Sequence, residues 1–252
     1  MGEHITVKGK DGFELGAYLA RPQGEVKGGV LVIQEIFGVN EHIREVANGY
    51  AIEGYLAIAP KIFDRVEKDI ELGYEEADMG RGIELAFQKL EMNTTLSDLQ
   101  AAVDMLRTEQ SSIGVVGYCF GGLLTWLSAC ELTGVDAAAS YYGGGVVNHA
   151  DKKAQCPVMM HFGELDAHIP MSDVEKIKQA QPDVHIFSYD ADHGFNCDHR
   201  ASYDSTASAV ALERTLEFFT QHVAGPQDSG VGRGEVGGGF LRKIKSSLGF
   251  LR

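Results

Sequence analysis

The sequence predicts an α/β protein built on a mostly parallel, doubly wound sheet, with an antiparallel hairpin along one edge. Three observations carry this reading. Six short, largely apolar runs recur along the chain, longer segments of helical periodicity separate them, and two alternating runs near the N-terminus flank turn residues.

Taken in order, residues 5–7 and 14–20 alternate apolar and polar side chains, with Gly9 and Asp11-Gly12 near the turn, which is a hairpin pattern. Residues 29–33, 55–59, 113–117, 137–142, 158–162 and 184–189 are near-continuous apolar runs. Strands of that kind are buried on both faces, as in a parallel sheet covered by helices. Between them, residues 43–53, 96–107, 121–132, 172–179 and 205–222 read as helices. Residues 70–90 read as mostly helical, with Gly73, Gly80 and Gly82 obscuring where that helix begins. Strands alternating with helices wind to both faces of an open sheet.

The chain has 252 residues, with 22 Lys and Arg against 36 Asp and Glu, a formal net charge of −14. Hydrophobic residues at 44% and charged ones at 23% are ordinary globular usage, which excludes wholesale disorder. A body this acidic repels nucleic acid. No apolar run approaches a membrane span, and the N-terminal residues lack the apolar core of a secretory signal, so the expectation is a soluble, cytoplasmic protein. The four cysteines (Cys119, Cys130, Cys156 and Cys197) form no CxxC pair, which argues against a disulfide scaffold and a zinc ribbon.

The charge is not evenly spread. Residues 1–224 carry −17 and form the expected folded domain, whereas residues 225–252 carry +3. Within that basic segment, residues 225–239 are rich in glycine and read as a flexible linker. Residues 240–252 place Phe240, Leu241, Ile244, Leu248 and Leu251 near helical spacing among basic side chains. The alternatives are a frayed end and a short amphipathic helix making a weak membrane-surface or protein contact.

The most informative stretch is Ile113 to Leu123, where a strand runs straight into a helix and Gly117, Cys119 and Gly121 spell G-x-C-x-G. This is the spacing of a nucleophile elbow with a thiol in place of the usual hydroxyl. Small residues flank Cys119 because the turn is too tight for side chains there. The turn lifts the nucleophile above the sheet at a helix N-terminus, which favours a thiolate, and aims the Phe120 amide at a developing oxyanion. Glycines at such a turn also cradle phosphates, but neither GxxxxGK[ST] nor GxGxxG occurs here.

An elbow requires an acid and then a histidine at later strand ends. After the run 158–162 comes Gly163-Glu-Leu-Asp166, and after 184–189 comes Ala191-Asp-His193. His193 is the candidate base and Asp166 the group that orients it, with His168 and Asp192 as the competing candidates. The loop after residues 29–33 supplies the second oxyanion donor in such a site, and the Ile36 amide is the candidate. Glu35 beside it stands out, since a carboxylate there opposes the charge that develops.

Together QEIFG, GYCFGG, GELDAHIP, DADHGF and ERTLEFF resemble the dienelactone hydrolase family of the α/β-hydrolase fold, over residues 28–222. The resemblance implies Cys119 as nucleophile, His193 as base and Asp166 as its partner. It also implies Glu35 as the glutamate that holds the resting thiol and receives its proton when substrate binds. The implied activity is hydrolysis of a dienelactone-type enol-lactone to maleylacetate, in the catabolism of aromatic compounds, without metal or organic cofactor. The family binds the substrate carboxylate with two arginines. Arg81 lies near the first place, whereas Cys197 stands at the second, with Arg200 three residues later as a substitute. Tyr142 and Phe87 fall where the family places aromatic pocket residues, and core packing accounts for them equally well.

Competing readings are a generic carboxylesterase of the same fold, and a non-catalytic interaction protein docking through residues 240–252. A zinc site from His193, Cys197 and His199 would leave the elbow and Asp166 without a purpose. A redox pair of Cys119 and Cys197 requires the sulfurs within bonding distance. The expected partner is a small-molecule lactone or ester.

Overall fold

The apolar runs pair as strands of an eight-stranded sheet in a computed structural model that describes residues 2–224. The linker and tail expected at 225–239 and 240–252 lie outside the described residues. In chain order the elements are β1 (Glu3–Lys8), β2 (Glu14–Ala20), β3 (Gly28–Ile33), α1 (Glu41–Ile52), β4 (Tyr55–Pro60), α2 (Glu76–Glu84) and α3 (Met92–Arg107). There follow β5 (Ile113–Tyr118), α4 (Phe120–Glu131), β6 (Ala137–Tyr141), β7 (Val158–Gly163), α5 (Met171–Ala180), β8 (His185–Tyr189) and α6 (Ser205–His222).

The strands lie in the order β1-β2-β4-β3-β5-β6-β7-β8. The expected hairpin is the antiparallel edge: β1 pairs with β2, and β2 with β4, antiparallel, while every pairing from β4 to β8 is parallel. β3, β4, β5, β6 and β7 are buried along their whole length, which explains why their sequences are apolar without alternation. The edge strand β8 is only half-buried, and its sequence mixes in polar residues accordingly.

From β3 the chain first adds β4 on one side and later returns to add β5 on the other. Right-handed crossovers in opposite directions place α1 and α3 on opposite faces. α1 meets α6 through Tyr50 and Phe219, ring centres 6.1 Å apart, while α3 packs beside α4. Asn40 starts α1 by accepting the Ile43 amide at 3.3 Å, and Asp204 starts α6 by accepting those of Thr206 and Ala207.

Residues 70–90 depart from the expectation. Glu71 bridges to Gly38, so the chain there is extended, and α2 begins only at Glu76. A π-helical turn, Leu85–Lys89, then follows directly. The bridge is a long-range pairing that local periodicity does not register.

Trp126 of α4 is fully buried and donates its Nε1 hydrogen to the His149 carbonyl at 2.9 Å. Trp126→Ala should lower stability by about 3–5 kcal/mol through cavity formation and the orphaned carbonyl. Urea unfolding followed by far-ultraviolet circular dichroism measures this, and a loss below about 1 kcal/mol would show that α4 is not a core element.

Candidate active site

Because the strand order reverses at β3, the loops leaving the C-terminal ends of β3 and β5 part to opposite faces and leave a crevice between them. Ligands of open α/β sheets bind at such switch points. Both the Glu35–Ile36 segment and Cys119 leave from these two strand ends.

Cys119 sits between β5 and α4 with φ 56° and ψ −115°, a backbone state that side-chain-bearing residues rarely adopt. The turn is locked by the Cys119 amide donating to the Tyr141 carbonyl at 3.0 Å and by the Gly122 amide donating to Cys119 at 2.9 Å. A Cβ at Gly117 would collide with the Gly121 carbonyl and the Thr125 hydroxyl. One at Gly121 would collide with the carbonyls of Ile33 and Gln34. The G-x-C-x-G spacing is therefore a steric requirement: α4 starts in contact with the chain on both sides of the elbow. Among the described residues, neither the Phe120 nor the Ile36 amide donates a hydrogen bond. Both are thus free to serve an oxyanion, as the elbow geometry requires.

His193 follows β8, and its Nδ1 lies 2.7 Å from Asp166 Oδ2 in the loop after β7. The other carboxylate oxygen of Asp166 accepts the amides of His168 at 2.8 Å and Ile169 at 3.2 Å, which fixes the acid in place. Burial alone would raise the Asp166 carboxyl, yet the hydrogen bond and charge of His193 outweigh it and hold it below the usual range. Burial likewise opposes charge on His193, but Asp166 and the adjoining Cys119 sulfur push it up to about 10. His193 thus pairs with the acid through Nδ1 and adjoins the thiol. The two neighbours have other duties: Asp192 is exposed and accepts the His193 amide at 2.6 Å, and the His168 ring packs edge-on to His193.

Glu35 is 1% exposed, and neither of its oxygens makes a hydrogen bond. Its Oε1 faces Arg200 Nη1 at 3.5 Å, and no hydrogen bond links it to Cys119. Arg200 therefore does turn back to the site, from the loop after β8, and also lies over the rings of Phe37 and Tyr74. Arg81, in the last turn of α2, instead directs its guanidinium to Glu67 and Glu84. Tyr142 is fully buried against His193, ring centres 5.1 Å apart, with φ 36°. Phe87 is 59% exposed and packs edge-on against Phe120, 5.2 Å between ring centres, so it flanks the elbow from the π-helical turn.

Several groups near the site carry no sequence motif. His161 of β7 is buried between the Tyr189 hydroxyl (2.8 Å) and the Thr215 hydroxyl (3.1 Å), and burial pushes it down to about 3, so it is neutral. His42, two residues into α1, has Nδ1 3.4 Å from Asp198. Donor atoms of Glu35, His42 and Cys197 lie within 4.8 Å of one another. The zinc set considered from sequence is not assembled in that form, because His193 is engaged by Asp166 and His199 by Glu45 at 2.8 Å. All four cysteines are free thiols. Among the described residues no helix is long and apolar enough to cross a membrane.

Comparison with known proteins adds the chemistry of relatives. The dienelactone hydrolase family matches residues 15–223. A Synechocystis sp. protein provisionally named carboxymethylenebutenolidase is 40% identical over 242 residues, covering 85% of this chain and 94% of the relative. The carboxymethylenebutenolidase of Pseudomonas putida is 30% identical, with 86% and 95% covered. A Klebsiella pneumoniae crystal structure, provisionally named a dienelactone hydrolase, superposes with a TM-score of 0.79 at 31% identity, covering 88% of this chain and 99% of that one.

Proposed function

Since the chain belongs to the dienelactone hydrolase family and is thereby a hydrolase of carboxylic esters or lactones, we propose that it works through a Cys119–His193–Asp166 triad and a thioester acyl-enzyme. The observation that carries this reading is His193, held 2.7 Å from Asp166 on one side and adjoining Cys119 on the other. The Cys119 thiolate attacks the carbonyl carbon, and the Ile36 and Phe120 amides receive the negative charge on its oxygen. Each such donor is worth about 3 kcal/mol in the transition state. As the C–O bond of the lactone or ester breaks, His193 gives its proton to the leaving oxygen. The imidazole, now neutral, takes a proton from water, the hydroxide attacks the thioester carbon, and the thiolate departs.

In this arrangement the proton acceptor for Cys119 is His193, because Glu35 turns to Arg200. Glu35 holds the guanidinium in place until a substrate carboxylate competes for it. An enol-lactone bearing a carboxylate, the dienelactone type that yields maleylacetate, is therefore the substrate class that suits the site. Phe87 and Tyr142 would supply its aromatic walls.

A panel of carboxylate-bearing lactones and neutral aryl esters tests this. Acid-quenched turnover should leave the acyl mass on the peptide containing Cys119, and absence of that adduct under burst conditions would count against the thioester. Arg200→Gln should raise KM about tenfold for the anionic lactone and leave neutral esters unchanged. Equal effects on both classes would favour a generic carboxylesterase.

A further inference from the structure

We infer that Glu35, His42 and Cys197 form a binding site for one divalent cation of the zinc class, adjoining the hydrolytic site and distinct from the triad. Nothing in the acyl-transfer chemistry uses His42 or Cys197, yet both are buried, as is Glu35. One donor atom from each lies within 4.8 Å of the other two. Zinc bonds of about 2.0–2.3 Å in a tetrahedral set put donors about 3.3–3.8 Å apart, so the three need close by only about an ångström.

The free valences point the same way. His42 Nε2 and both Glu35 oxygens are buried without a hydrogen bond among the described residues. Such orphans are rare in folded proteins because each costs its full desolvation. On the far side of the His42 ring, Asp198 Oδ1 lies 3.4 Å from Nδ1 and places one hydrogen there. Burial opposes charge on the ring, but Asp198 and the Cys197 sulfur push it up to about 10, so Nε2 becomes a ligand by releasing its own hydrogen as the cation binds. Arg200 engages Oε1 of Glu35, so Oε2 is the carboxylate donor and Arg200 stays paired. The charges also balance: the carboxylates of Glu35 and Asp198 and a Cys197 thiolate outnumber the one guanidinium.

The donor types choose the metal. Thiolate, imidazole and a single carboxylate oxygen suit zinc and cobalt, whereas magnesium and calcium take oxygen ligands in larger number. Binding would replace the Cys197 proton and any proton on His42 Nε2 with the cation, releasing them to solvent. The second group of donors nearby, Glu45, Asp198 and His199 around the other edge of His42, lies at the surface and its members already pair with each other. It is therefore not the site. A cation on the buried set would join the loop after β3, which carries the Ile36 amide, to the loop after β8, which carries His193.

Cobalt titration of the chelator-treated full chain tests the site. One equivalent per chain should produce a near-ultraviolet thiolate-to-cobalt band and the visible bands of a tetrahedral ion, both displaced by zinc. The bands should persist in Cys119→Ala. Cys197→Ser should remove the near-ultraviolet band, and His42→Gln should weaken cobalt binding at least tenfold with the far-ultraviolet spectrum intact. Absence of a thiolate band in the wild-type chain would overturn the proposal. So would a band that survives Cys197→Ser and vanishes in Cys119→Ala, since the metal would then sit on the catalytic thiol.

Discussion

Replacing Cys119 with alanine should lower kcat/KM on lactones and aryl esters by about 10⁴-fold or more, while leaving the fold intact. The size follows from what is lost. Without sulfur there is no thioester, and attack must come from water, which His193 does not position against the carbonyl in the same step. What survives is the proposed oxyanion pair of Ile36 and Phe120 and the proposed binding surface around Phe87, which alone leave a residual rate. The substitution removes a half-buried thiol at a backbone position that alanine tolerates as poorly as cysteine, so the stability change is small. Steady-state rates on the purified variant, with circular dichroism as the control, decide it. Retention of more than a tenth of the activity would exclude Cys119 as nucleophile.

Asp166→Asn should cost about 10⁴-fold in kcat/KM by a different route. The asparagine oxygen can keep the amides of His168 and Ile169, so the loop holds its shape. Its NH2 then faces His193 Nδ1, which is forced to accept, and the ring hydrogen moves to Nε2. An imidazole in that tautomer cannot take the thiol proton. The charge that raised His193 is lost at the same time, so its titration should fall well below its wild-type value of about 10. The sign is fixed by the direction of the shift: a raised histidine stays protonated through neutral pH and loses its proton as the pH climbs through that value. Wild-type kcat/KM should accordingly decline on the alkaline side near about 10, where no imidazolium remains to protonate the leaving oxygen. Imidazole proton resonances followed against pH in both proteins test the assignment. An unmoved titration in Asp166→Asn would detach Asp166 from the chemistry.

Why some of this was legible in the sequence and some was not has a physical explanation. Cys119, Asp166 and His193 each follow an apolar run, and in a parallel sheet the ends of such runs lie along one rim. One-dimensional order therefore becomes proximity, and the elbow glycines mark which run carries the candidate nucleophile. Ile36 follows the run of β3 and reaches the same rim. His42 was not legible: it lies inside a helix with no motif around it, and only the docking of α1 beside the loop after β8 brings it to Cys197. Arg200 was nameable as a candidate, but the fold-back of its loop onto Glu35 is tertiary. Arg81 shows the converse. Its place on α2 lies near the one the resemblance indicates, yet Glu67 and Glu84, remote from any motif, take its guanidinium.

The backbone at Cys119 has a consequence for how this protein could change over generations. Glycine adopts φ 56° at little cost, whereas any other residue carries about 1 kcal/mol or more there. Selection for heat resistance alone would thus favour discarding the cysteine, and the sequence would drift toward Gly-Tyr-Gly-Phe-Gly. On the proposed mechanism, a cysteine at that position gives up stability in exchange for hydrolysis.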